Sequence, residues 1–249
     1  MAIRKRFALL LLGTFTGLSV FGEDSYRLWL RYERLPDTDL VKRYTQQIKT
    51  VAILSDSPTG RVITTELQSA LPALLGKAFS FQKEINQGSL VIARADTPEL
   101  TTLAIHDQLK TINQDGYLIL TTSIQGKKVT LITAHRDAGL LYGTFHFLRL
   151  LQTKQNIAAL SVTSSPKTNI RILNHWDNLD RTVERGYAGF SIWDWHKLPD
   201  YIDQRYIDYA RANASIGINA TVLTNVNANA LVLTPYYLQK VKALADVFR

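Results

Sequence analysis

Ile170-Arg171-Ile172-Leu173-Asn174-His175-Trp176-Asp177-Asn178 is a short apolar, β-branched run that ends in a dense group of amide, imidazole, indole and carboxylate side chains. Downstream, Ile218-Asn219-Ala220-Thr221-Val222-Leu223 repeats the pattern and runs into Asn225-Val226-Asn227-Ala228-Asn229. A helical pattern follows each run, over 203–215 and from Pro235 through residue 244. This βαβα rhythm, with polar residues at each strand's C-terminal end, is how a (β/α)8 barrel begins, and those strand ends are where such barrels place their chemistry. A complete barrel takes about 250 residues. The stretch 166–249 holds two βα units, so the expected fold is the start of a barrel in a truncated chain.

Upstream, residues 23–165 read as a mixed α/β accessory domain. Val51-Ala52-Ile53-Leu54 and Leu90-Val91-Ile92-Ala93 are buried-strand patterns, and Leu67, Leu71, Leu74 and Leu75 give 64–75 a helical apolar face. Thr97-Pro98-Glu99 looks like an N-cap with proline in the first turn. The β-rich runs 117–122 and 128–134 flank Gln125-Gly126-Lys127, a hairpin loop, and 137–151 is a helix with Leu141, Phe145 and Leu148 on one face. The stretch 161–167 is polar and contains Pro166, and the domain boundary is placed there.

The first 22 residues differ from the rest. Arg4, Lys5 and Arg6 precede an apolar run, 7–20, and Val20-Phe21-Gly22 offers small residues for cleavage before Glu23. This predicts a secretory signal peptide and an exported protein, periplasmic or secreted. No later segment is apolar for long enough to span a bilayer. Three of the charges behind the net +8 belong to this leader, and the other Lys and Arg are scattered, which argues against a nucleic-acid partner. With no cysteine among 249 residues and 46% apolar composition, an exported chain is held by its core rather than by disulfides. His106, His135, His146, His175 and His196 show no ligand spacing, so no metal or other cofactor is expected; His146, on a helix near its apolar face, reads as structural.

The cluster 174–181 holds the candidate chemistry. An indole stacks on the C–H face of a pyranose while Asp and Asn take its hydroxyls; a core Trp with capping Asp and Asn in the next loop fits the same composition. Tyr187, Trp193 and Trp195 extend the aromatic enrichment, either as the wall of a carbohydrate cleft or as packing. Asn225, Asn227 and Asn229 either bond sugar hydroxyls or cap their own loop. Glycoside hydrolysis needs two carboxyl groups, and nothing in the spacing of Asp177, Asp180, Glu184 and Asp194 marks a catalytic pair.

Several of these stretches resemble the α-glucuronidases of glycoside hydrolase family 67: 23–32, Arg171-Ile172-Leu173-Asn174-His175-Trp176-Asp177-Asn178, Glu184-Arg185-Gly186-Tyr187-Ala188-Gly189, and 218–228. Asp115-Gly116-Tyr117 and Gly139-Leu140-Leu141-Tyr142-Gly143 also resemble the accessory domain of β-hexosaminidases. The family resemblance implies a three-part enzyme: an α/β domain, a (β/α)8 barrel and a C-terminal helical region that often forms homodimers. It implies hydrolysis, with inversion, of the α-1,2 linkage of (4-O-methyl)glucuronic acid on xylooligosaccharides. The family's catalytic acids match no position here, so the 249 residues alone are expected to be inactive. The implied substrate-binding residues are Trp176 on the glucuronic acid ring, Val226 near the 4-O-methyl group, and Asp177, Asn178, Glu184 and Asn227 as polar contacts. Thr224 stands where the family pattern leads one to expect Asn. A non-catalytic carbohydrate-binding or surface protein and a hexosaminidase-like glycosidase are the competing readings; a periplasmic solute-binding protein fits the leader but not the aromatic loop.

Overall fold

A 3-10 segment, Ser25–Arg31, opens the part of the chain that the computed structural model describes, residues 25–249; the expected signal peptide, 1–22, lies outside the described residues. Helix α1 (Thr38–Gln47) follows, its first turn closed by the Asp37 carboxylate, which accepts from the amides of Asp39 at 3.0 Å and Leu40 at 2.9 Å. Then come β1 (Thr50–Ile53), α2 (Pro58–Leu75), β2 (Ser80–Gln82), β3 (Ser89–Arg94), α3 (His106–Lys110), β4 (Tyr117–Ile124), β5 (Lys127–Ala134), α4 (Asp137–Gln152) and β6 (Ser161–Ser164). The remaining elements are β7 (Ile172–Asn174), α5 (Gln204–Ser215), β8 (Ala220–Val222) and α6 (Pro235–Phe248).

Six strands form one sheet in the order β2-β1-β3-β5-β4-β6. β1 runs parallel to β2 and β3, β3 runs parallel to β5, and β4 is antiparallel to β5 and β6. Its central strands are apolar on both faces, as a sheet covered on both sides requires. Val51, Ile53, Leu90, Ile92 and Ile132 face α2 and α4, while Ala52, Val91, Ala93 and Leu131 face Leu100 and Ile85 on the other side. The β4–β5 hairpin turns on Gln125 (φ 50°) and Gly126 (φ 78°), two residues with positive φ as a tight hairpin needs; Lys127 already belongs to β5.

Two expectations from the sequence change here. The polar stretch at 161–167 is not all linker, because Ser161–Ser164 pairs with β4 as the last strand of the sheet. Pro98 starts only a 3-10 turn, Pro98–Leu100, and the Thr97 side chain makes no capping bond.

Helix α4 lies on the sheet through glycine. A Cβ on Gly139 would sit 2.5 Å from the Gly116 carbonyl oxygen and 2.7 Å from Ala134 Cβ, and one on Gly143 would sit 2.7 Å from Ile132 Cγ2. The gain in helix propensity from Gly to Ala, about 1 kcal/mol, is smaller than the cost of pushing helix and strand apart, about 1–3 kcal/mol. Gly139→Ala is therefore expected to unfold at lower denaturant concentration than the parent chain; an equal or higher midpoint would show that α4 can lift off the sheet freely.

β7 and β8 form a separate two-stranded parallel sheet, with Ile172 opposite Ala220 and Asn174 opposite Val222. Ile172, Leu173 and Val222 are exposed on it. Beside it lies a second core of Leu179, Trp193, Trp195, Leu198, Tyr206 and Leu244. Trp193 and Trp195 are fully buried, which settles the choice between cleft wall and packing in favour of packing. Lys240 of α6 is also buried there. Its ammonium donates to the carbonyls of Trp195 at 2.5 Å and Leu198 at 2.6 Å, and lies 4.4 Å from the centre of the Tyr236 ring. His146 on α4 bonds the Tyr117 hydroxyl at 2.9 Å, and burial holds its pKa below the usual imidazole value, in keeping with a structural role.

Candidate functional site

Strand β7 ends at Asn174, and His175 continues the ladder by donating its amide to the Val222 carbonyl at 3.0 Å. The chain then folds into a small antiparallel arrangement. Asp177 bridges Val183, and Thr182 bridges Phe190. Glu184 N–H donates to Trp176 O at 2.7 Å, and Asn178 N–H donates to Thr182 O at 2.8 Å. Side chains alternate across such a ladder, so Trp176, Asn178, Thr182, Glu184 and Phe190 share one face, and Asp177 and Val183 share the other.

The inner face is tied down. Asp177 is only 3% exposed and accepts from the Ser191 hydroxyl, whose oxygen in turn accepts from Trp193 N–H at 2.9 Å. His175 lies beside it, with Nδ1 3.6 Å from the Asp177 carboxylate and Nε2 2.6 Å from the Tyr209 hydroxyl on α5. The His175 and Trp193 rings pack with centroids 5.3 Å apart.

The outer face is open. Trp176 is 51% exposed. Asn178 Nδ2 donates to Thr182 Oγ1 at 3.0 Å and to Glu184 O at 2.7 Å. Glu184 takes φ 57°, a left-handed conformation that costs a non-glycine residue about 1–3 kcal/mol and that gathers at functional sites. This bend brings its Oε2 within 3.3 Å of Asn225 Nδ2 from the loop after β8. Asn225 N–H also donates to Asp177 O at 2.8 Å, joining the two strand-end loops.

The structure thus brings Trp176, Asn178 and Glu184 to one side of this arrangement, with the buried Asn225 bonded to Glu184. Val226 and Asn227 lie on the exposed part of the β8 loop, where Asn227 N–H donates to Asn225 Oδ1 at 2.9 Å. Asp177 is not on this surface; its side chain is spent underneath. Ser191 and Tyr209, which hold Asp177 and His175, carry no mark in the sequence, because a hydroxyl's partner is set only by the tertiary fold. Tyr187 and Phe190 are largely exposed.

An open indole face beside an amide and a carboxylate suits a ring with one apolar face and a rim of hydroxyls. The other Asp carboxyls of the loop are engaged within it. Asp180 accepts from the Thr182 hydroxyl at 2.7 Å and from its amide at 2.9 Å, and that hydroxyl bond holds its pKa below the ordinary carboxyl value. Asp194 accepts from Arg181 at 3.0 Å.

Comparison with known proteins is decisive on kinship. Residues 28–147 match the model of the glycosyl hydrolase family 67 N-terminus, and residues 150–249 match that of its middle domain. The chain belongs to glycosyl hydrolase family 67. Among family 67 relatives, alpha-glucuronidase A of Emericella nidulans is 35% identical over 97% of this chain and 29% of its own length. Alpha-glucuronidase of Hypocrea jecorina is 31% identical over 100% of this chain and 30% of its own length. The chain therefore spans about three-tenths of the length of these family 67 relatives. A solved family GH115 4-O-methyl-alpha-glucuronidase shares the fold, with a TM-score of 0.53 and 14% identity over 81% of this chain and 28% of that one.

Proposed function

We propose that this family 67 chain carries the sugar-binding floor of an α-glucuronidase. In this reading, β7-α5-β8-α6 are the first βα units of a (β/α)8 barrel, and the surface at their strand ends receives glucuronic acid or its 4-O-methyl ether from xylooligosaccharides. The linkage cleaved is α-1,2, with inversion, in the breakdown of xylan outside the cell, to which the leader at 1–22 directs the protein. Trp176 stacks on the uronic acid ring, Val226 lies at the 4-O-methyl group, and Asn178, Glu184 and Asn227 take hydroxyls. Asp177 acts from beneath by holding the Trp176 loop in place. The acid and base come from other strands, since each Asp of this loop is already engaged.

The observation that carries the reading is the half-exposed Trp176 next to the bent Glu184–Asn225 pair at adjacent parallel strand ends. Its test is release of glucuronic acid from aldouronic acids by the enzyme containing this chain. Trp176→Ala is expected to lower kcat/KM by about tenfold or more, the loss of one stacking contact worth roughly 1.4 kcal/mol. Because the ring is half exposed, the melting temperature should hardly move. A parent enzyme that cleaves other glycosides but frees no glucuronic acid would sink the proposal. Binding of the sugar without release would instead select a non-catalytic carbohydrate-binding protein, a reading favoured by the internal pairing of the Asp carboxyls.

A further inference from the structure

Two acids of the six-stranded unit reach across to the elements that carry the candidate site. Asp115, just before β4, accepts from Arg171 Nη2 at 2.9 Å and from Asn219 Nδ2 at 3.3 Å. Arg171 immediately precedes β7 and Asn219 immediately precedes β8, so one carboxylate oxygen touches the roots of both strands. The Arg171 guanidinium is spent entirely on this junction. It donates to Gly217 O at 2.5 Å and Thr168 O at 2.7 Å, and lies 5.6 Å from the centre of the Tyr142 ring on α4. The two side chains are only 16% and 18% exposed.

Glu66 on α2 makes the second crossing. It accepts from Arg211 Nε at 2.6 Å and Nη2 at 2.8 Å, a two-pronged pair on α5. Two residues before Arg211 on the same helix, Tyr209 points the other way and bonds His175. The two crossings thus end on the two elements that meet at His175, the residue next to Trp176.

We propose that Asp115 and Glu66 are positioning residues, through which the α/β unit sets where the Trp176 surface lies. The consequence for sugar rests on the proposed function, but the positioning can be read without any sugar. The alternative is plain adhesion between two bodies, with no particular effect at the strand ends.

The experiment is amide hydrogen exchange by NMR on the full chain, comparing Asp115→Asn with Ile48→Val, a core truncation at the end of α1 that lowers global stability away from the junction. The amides to follow are Glu184, which donates to Trp176 O, and Asn225, which donates to Asp177 O, with Val91 in β3 as the internal reference. In Asp115→Asn, exchange at Glu184 and Asn225 is expected to quicken at least tenfold relative to Val91, and in Ile48→Val the ratio should stay unchanged. Arg171→Lys, which keeps the charge but loses the fork, should behave like Asp115→Asn. Equal change at all three amides, or none at the site amides, would overturn the proposal. A titration with glucuronic acid followed by Trp176 fluorescence tests the sugar reading separately, and its failure would leave the exchange result standing.

Discussion

Arg211→Ala is expected to lower the melting temperature by roughly 6–12 °C, the equivalent of about 3 kcal/mol in a chain of this size. Glu66 is 5% exposed, and Arg211 is its only cationic partner among the described residues. Removing the guanidinium strands a carboxylate away from water, which for a buried pair costs about 3–5 kcal/mol. The lower end applies for two reasons. The Arg211 side chain is itself 27% exposed, and the Tyr32 hydroxyl still donates to Glu66. Burial pushes the Tyr32 phenol pKa up, so that donor keeps its proton. The loss comes from stranding a charge rather than from losing an attraction. The double variant Glu66→Leu/Arg211→Leu should therefore be more stable than Arg211→Ala alone. Thermal unfolding of the three proteins checks this, and a loss below about 1 kcal/mol in Arg211→Ala would mean that water reaches Glu66.

Lys240→Met should have the next largest effect, about 2–4 kcal/mol by denaturant unfolding. The side chain is 2% exposed and has no carboxylate in contact among the described residues; its charge is met by two backbone carbonyls and the face of Tyr236. Methionine fills a similar volume, so little of the loss is cavity. What is lost is the pairing of the carbonyls of Trp195 and Leu198, each worth about 1–3 kcal/mol when left buried without a donor. Gains from burying an apolar side chain offset part of this. If Lys240→Met is neutral, the 195–198 turn holds its shape without the ammonium and the cation is incidental.

Where the sequence was legible, the reason was usually a period. β1, β3, α2 and α4 carry apolar residues at spacings of two, run together or at 3.6; β1, β3 and α4 appear within a few residues of their expected places, while α2 begins at Pro58 rather than at 64, because Ser57 caps it and Pro58 opens it. The Gln125-Gly126 turn and the Pro235 helix start were legible because backbone constraints at Gly and Pro are local. β2 and β6 escaped because both are short, polar edge strands whose existence depends on a neighbour. At the site, Trp176 and Glu184 were legible as residue types in one cluster. Their division into an outer and an inner face was not. It follows from the Asp177–Val183 pairing, which depends on a turn at Arg181 with φ 72° that no residue type announces. That pairing is why Asp177, one residue from Trp176, faces the opposite way.

The Glu66–Arg211 pair also has a timetable. The two residues are 145 positions apart, and Asp115 and Arg171 are 56 apart. At a synthesis rate of about 5–20 residues per second, Glu66 is added to the chain some 7–30 s before its partner. Every strand of the six-stranded sheet has been made by Ser164, so that unit can form its core while its docking carboxylates still stand in water. The Trp176 surface is therefore assembled after the six-stranded unit, when Arg171 and then Arg211 arrive and close the junction in the order in which they are translated.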